Sequence, residues 1–244
     1  MLVVPLGSCE QHGPHLPVSV DTVVAEAVTS ELSIDVPGVV VGPTLAYGAS
    51  GEHEGFAGTV SASHEALAAL LVEMGRSALR WAARVLFVSG HGGNLEALVS
   101  ATTRLRHEKR DVAWWLCSVP NGDAHAGRTE TSLIMALHLV SVRLERAEAG
   151  RSEPIEELMP VLRLGGVRGV SENGVLGDPD GASAAEGHAL LAAMTRSLSR
   201  DVAQWTVSPE GLLCEGDCTY GTAGNELLRS VPAVRHRRAI ESED

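Results

Sequence analysis

Glu10-Gln11-His12-Gly13-Pro14-His15, followed by Asp21, gathers carboxylates and imidazoles within twelve residues. In an extended segment, residues two apart face the same side, so Glu10 and His12 can aim at one point. Asp21 returns to that point beyond the turn from Pro14 to Pro17. A carboxylate able to reach two ions, a second carboxylate and an imidazole are the donors that a pair of divalent metals activating water requires. The plainer alternative is a polar loop in which Asp21 caps the helical pattern Val23, Val24, Ala27, Val28 and Leu32.

Three further segments carry side chains suited to chemistry. Ser89-Gly90-His91-Gly92-Gly93-Asn94 follows the apolar run Val85 to Val88 and precedes a helical pattern. That puts His91 at the kind of strand-to-helix turn where open α/β sheets bind ligands, and it reads as a metal ligand. A phosphate loop is the weaker reading, because neither a GxGxxG spacing nor a following Lys is present. The run Asp123 to Ser132 supports two readings. It is either a helix start capped by Thr129 with Glu130 in its first turn, or a site in which His125 shuttles protons and Glu130 completes a metal shell. Tyr47, Ser50, Glu52 and His53 belong to the glycine-rich loop 42–58. That loop reads equally as a substrate wall and as a surface loop whose Glu52 and His53 bond to each other. His15, His64, His107, His138, His188 and His236 read as structural or surface residues.

Four short apolar runs must position these turns. Val3 to Leu6, Gly38 to Val41, Val85 to Val88 and Val112 to Cys117 alternate with helical patterns over 22–32, 63–83, 95–107, 131–139 and 184–205. This is the order of a mostly parallel sheet covered by helices. Within 63–83, Leu67, Leu70, Leu71, Met74, Ala78 and Trp81 keep helical spacing, and most are expected in the core. Residues 150–182 are rich in Gly, Pro and charge, which predicts a functional loop or irregular lid. One domain is expected over 1–209, with 210–244 a poorly ordered tail.

Composition narrows the function. The 244 residues are 44% hydrophobic, enough for a full core. Nineteen basic against 31 acidic residues leave a net charge of -12, which disfavours nucleic acid or anionic membrane as partner and suits a small, cationic or peptide substrate. No apolar run approaches the roughly 20 residues of a membrane span, and the start lacks the basic and apolar regions of a signal peptide. A cytoplasmic location is expected. Cys9, Cys117, Cys214 and Cys218 are too scattered for a disulfide framework.

Taken in order, Glu10 to Pro17 with Asp21, Tyr47 to Thr59, Ser89 to Asn94 and His125 to Ser132 resemble the creatininase family of binuclear metal amidohydrolases. Together with the run Val170 to Pro179, they are most similar to the branch of that family that acts in mycofactocin biosynthesis, and the likeness extends to about residue 213. The resemblance implies a three-layer α/β/α sandwich with a mostly parallel central sheet, usually as a homo-oligomer. It also implies two divalent ions, iron(II), zinc or manganese, held by Glu10, His12, His91 and a bridging Asp21, with His125 catalytic. Creatininase itself has a metal-binding Glu where this chain has Gly93, which turns the expectation away from creatinine. The resemblance leaves Glu130 as the replacement carboxylate and gives Gly93 the effect of admitting a larger substrate. The activity so implied is a metal-dependent peptidase that cuts an amide near the C-terminus of a modified ribosomal precursor peptide, releasing a Val-Tyr-derived fragment. The alternatives are hydrolysis of a cyclic amide or formamide, and a non-catalytic metal-binding peptide carrier.

Overall fold

The computed structural model describes residues 1–214. The four apolar runs form strands β1 (Leu2–Leu6), β2 (Val40–Val41), β3 (Val85–Ser89) and β4 (Val112–Leu116) in one parallel sheet of order β2-β1-β3-β4. Leu6 pairs with Ser89, and Ser89 with Leu116. Three strands therefore end level, and the loops that leave them start from one edge.

Helices α1 (Val20–Asp35), α2 (His64–Ala78), α3 (Leu95–His107), α4 (Arg128–His138), α5 (Ile155–Val170) and α6 (Ala184–Gln204) connect or follow the strands. Alternate strand residues face opposite sides of a sheet. Accordingly Val4, Leu6, Phe87 and Trp114 pack with Leu67 and Leu71 of α2 and Leu98 and Leu105 of α3. Val3, Leu86, Val88 and Trp115 pack on the other face with Val24 and Val28 of α1, Ile134 of α4 and Leu198 of α6. The result is the expected α/β/α sandwich. Phe87 and Trp114 are wholly buried, and truncating either to alanine should cost about 3–5 kcal/mol.

Several expectations need correction. Helix α2 ends at Ala78 rather than near residue 83, and although Leu67, Leu71 and Ala78 are buried, Leu70 and Trp81 are exposed. The start of α4 is capped by Asp123, whose carboxylate accepts the amides of Arg128 and Thr129, and not by Thr129 itself. Residues 150–182 contain α5, kinked at Gly166 with φ 62° and anchored by a small cluster of Leu158, Val167 and Leu176. Residues 211–213, read as tail, belong to the core. The Trp114 amide donates to Gly211 O and the Leu213 amide to Trp114 O, each at 2.9 Å, and Leu212 and Leu213 are buried. Beyond Cys214 the expected tail lies outside the described residues. Cys9 and Cys117 are free. Among the described residues no helix is long and apolar enough to cross a membrane.

Candidate metal centre

The carboxyl edge of the sheet collects the predicted residues. After β1 the chain leaves through Gly7 and Ser8 and carries Glu10 and His12 inward, both wholly buried. Asp21 stands in the first turn of α1, which docks between the ends of β1 and β3. That docking needs glycine beside it, since a Cβ on Gly90 would lie 2.2 Å from Asp21 O. His91 follows β3, and the loop after β4 brings His125 and Glu130. The loop after β2 adds Glu52 and His53 in a short turn, Gly51–His53.

Asp21 occupies the middle. Its Oδ1 lies 3.6 Å from His12 Nε2 and its Oδ2 3.7 Å from His91 Nδ1. Glu130 Oε2 is 3.7 Å from His12 Nε2, on the first side, and Glu10 Oε2 is 3.1 Å from His91 Nε2, on the second. The His12–Asp21, His12–Glu130 and His91 Nδ1–Asp21 separations are below twice a metal–ligand bond of about 2.1 Å, so one cation can touch both members of each of these pairs. Glu10, His12 and Asp21 offer ligand atoms within 4.8 Å of one another, as do His12, His125 and Glu130, and likewise Glu10, His53 and His125. Both carboxylate oxygens of Glu10 and Nε2 of His12 are buried without a hydrogen-bond partner. Buried polar atoms are ordinarily satisfied, and a divalent cation is the partner this mixture of carboxylate and imidazole fits.

The electrostatics follow from burial and crowding. Burial pushes the Glu10 and Glu130 carboxyls up to about 7, against the pull of His91 on the first and His12 on the second. Burial opposes charge on His12, yet Asp21 and Glu130 hold it up to about 10. Despite burial, the same pairing with His12 draws Asp21 down to about 2. Burial and then repulsion from His12 hold His125 well below the ordinary histidine range. Its ring lies tilted against those of His12 and His53, with centroids 4.2 Å and 4.4 Å away.

Of the residues read as a substrate wall, Tyr47 is exposed, while Ser50 is buried with its Oγ 3.5 Å from His91 Nε2 and His53 is buried with its Nε2 3.3 Å from Glu10 Oε1. Glu130 faces His12, and the carboxylate oxygen standing against Gly93 belongs to Glu52. Sequence reasoning missed Gln11 and Asn94. Gln11 Nε2 donates to Gly174 O at 3.0 Å and lies 2.9 Å from His53 Nδ1, while the backbone carbonyl of Gln11 accepts from His125 Nε2 at 2.8 Å. Asn94 donates to Gly7 O at 3.0 Å and accepts the Ala49 amide at 2.8 Å, tying three of the loops together. The only sequence signal for either was its place beside a histidine in a short polar run.

A family model described as creatinine amidohydrolase (creatininase) matches residues 1–202. The chain belongs to the creatininase family. Within it, a mycofactocin precursor peptide peptidase from Mycobacterium tuberculosis is 51% identical over 221 residues, covering 87% of this chain and 88% of its own. Another from Mycolicibacterium smegmatis is 50% identical over 218 residues with the same coverage. Among solved structures, a manganese form of creatininase superposes with a TM-score of 0.68 at 24% identity, over 84% of this chain and 90% of its own. A creatininase variant described as Zn-Zn type gives a TM-score of 0.69 at 24% identity and the same coverage. At that identity the likeness establishes the creatininase fold.

Proposed function

We propose that this creatininase-family chain is a binuclear metal-dependent peptidase acting on a modified ribosomal precursor peptide in mycofactocin biosynthesis. The observation that carries the metal half is Asp21, with one oxygen toward His12 and the other toward His91. His12, Asp21 and Glu130 would hold one divalent ion, and Glu10, Asp21 and His91 the other. Zinc, manganese and iron(II) all suit the donors. The substrate half is supported by the likeness to the two mycobacterial peptidases.

When bound, such ions acidify water and polarise an amide carbonyl. The protein's own part falls chiefly to His125. Its Nε2–H is donated to Gln11 O, which leaves the Nδ1 lone pair turned toward Glu10 Oε1 at 3.7 Å. Burial keeps the ring neutral near pH 7, so Nδ1 accepts a proton and returns it to the departing nitrogen. The rings of His12 and His53, tilted against it, restrict His125 to that orientation, and Gln11 links His53 and Gly174 behind it. Tyr47, exposed in loop 42–58, would meet the peptide.

Mass spectrometry of the modified precursor peptide incubated with metal-loaded protein tests the whole reading. Release of a short C-terminal fragment is expected. An intact peptide together with turnover of creatinine would replace the peptidase by a small-amide hydrolase.

A further inference from the structure

Gly93 is glycine for reasons of space. Its φ is not positive, so the backbone conformation is open to other residues. A Cβ built on it would lie 2.3 Å from Glu52 Oε1, 2.3 Å from His91 Nε2 and 2.6 Å from Ala49 O. The volume that any other residue at 93 would fill is therefore taken by the carboxylate of Glu52, delivered from a different strand end, and by the edge of the His91 ring.

The surroundings of that ring decide which nitrogen carries hydrogen. Nε2 faces oxygen on every near side: Ala49 O at 3.1 Å, Glu52 Oε1 at 3.2 Å and Glu10 Oε2 at 3.1 Å. The first is a hydrogen bond to a carbonyl, which can only accept, so Nε2 is the donor. Nδ1 is left to face Asp21 Oδ2 at 3.7 Å. Glu52 is itself held from behind. Helix α5 kinks at Gly166, where a Cβ would lie 2.6 Å from Glu52 O, and Arg168 of the same helix donates to Gly55 O at 2.6 Å.

We propose that Glu52 is a positioning residue for the metal centre: its carboxylate, seated in the space left by Gly93, fixes the hydrogen of His91 on Nε2 and turns Nδ1 toward the ion shared with Asp21. This reassigns Glu52 from the substrate wall to the support of a ligand, and it rests on the binuclear reading above. Carboxylate or carbonyl partners on the far nitrogen of a ligating histidine typically contribute 10- to 100-fold in metal affinity.

The test is titration of the full metal-stripped chain with Co2+, read by calorimetry and by the visible cobalt spectrum, with circular dichroism as the control for folding. Two ions on the unaltered protein are expected, and fewer than two would overturn the binuclear reading itself. With two bound, Glu52→Gln should weaken one ion by about 10- to 100-fold and alter its spectrum, leaving the other unchanged. Glu130→Gln should weaken the other ion instead. Gly93→Ala should reproduce the Glu52→Gln effect, and the double variant should add nothing further, because the carboxylate has already lost its seat. If the glycine variant does not fold, Glu52→Gln decides alone. Wild-type affinities for both ions in Glu52→Gln, equal weakening of both, or additive losses in a folded double variant would each overturn the proposal.

Discussion

Replacing Asp21 by Asn keeps the shape of the side chain and removes one negative charge from between two imidazoles. Each of its oxygens serves one half of the centre, at 3.6 Å from His12 Nε2 and 3.7 Å from His91 Nδ1. A cation between such pairs lies closer to Asp21 than about 4 Å. At an effective dielectric constant near 20, a unit charge at that distance amounts to about 4 kcal/mol, which is roughly a thousandfold in Kd. A divalent ion raises this figure and the remaining amide oxygen lowers it, so about a thousandfold per ion is the expected loss. Ser8 Oγ, which donates to Asp21 Oδ2, still finds an oxygen on Asn, and the fold should persist. The assay is competition with a chelating dye for Zn2+ or Mn2+, with bound metal counted by mass spectrometry after gel filtration. Loss of both ions is expected. Two ions held with unchanged affinity would refute the bridge, and loss of only one would make Asp21 an ordinary ligand.

His125→Ala should lower peptide turnover by about 10²- to 10⁴-fold with both ions retained; departure of an ion with the imidazole would make His125 a ligand instead of a shuttle. Metal affinity should rise with pH, because cations displace protons from Glu10 and Glu130, which titrate near 7, and from His12, which titrates near 10. At pH 6 binding should release protons from both carboxyls and from imidazole, and at pH 8 from imidazole alone. Calorimetry in buffers of different protonation enthalpy counts them, and equal release at both pH values contradicts the assignment. Leu213→Ala should cost about 2–5 kcal/mol in urea unfolding, whereas a change below about 0.5 kcal/mol would remove residues 211–213 from the core.

The parts of the fold that the sequence reveals are those with local causes. β1, β3 and β4 are continuous apolar runs, and α3 spans the predicted residues 95–107. The misread parts depend on distant contacts. Helix α5 contains Pro160 and a kink at Gly166, and it packs mainly on a small satellite cluster, so its composition resembles a loop. Residues 210–213 carry a weak pattern and acquire strand-like bonds only because β4 offers an edge. Within the site, the convergence of Glu10, His12 and Asp21 is legible because they are close in sequence. The partner of Gly93 was not, because Glu52 arrives from another loop and no local pattern records the approach.

The level strand ends have a consequence for how the molecule comes apart. Glu10 from a loop and Asp21 and Glu130 from the first turns of α1 and α4 are three acids drawn into one neighbourhood, and Glu10 has no hydrogen-bond partner there. Cations that bind only the folded chain raise its stability by mass action, and these cations also cancel the mutual repulsion of the acids. On the proposed reading, the carboxyl edge of the sheet would be the region most in conflict with itself once metal is withdrawn. Chelation should loosen the segments 7–12, 90–94 and 123–127 while the paired strands behind them stay closed, so that this centre would act as a latch on its own scaffold.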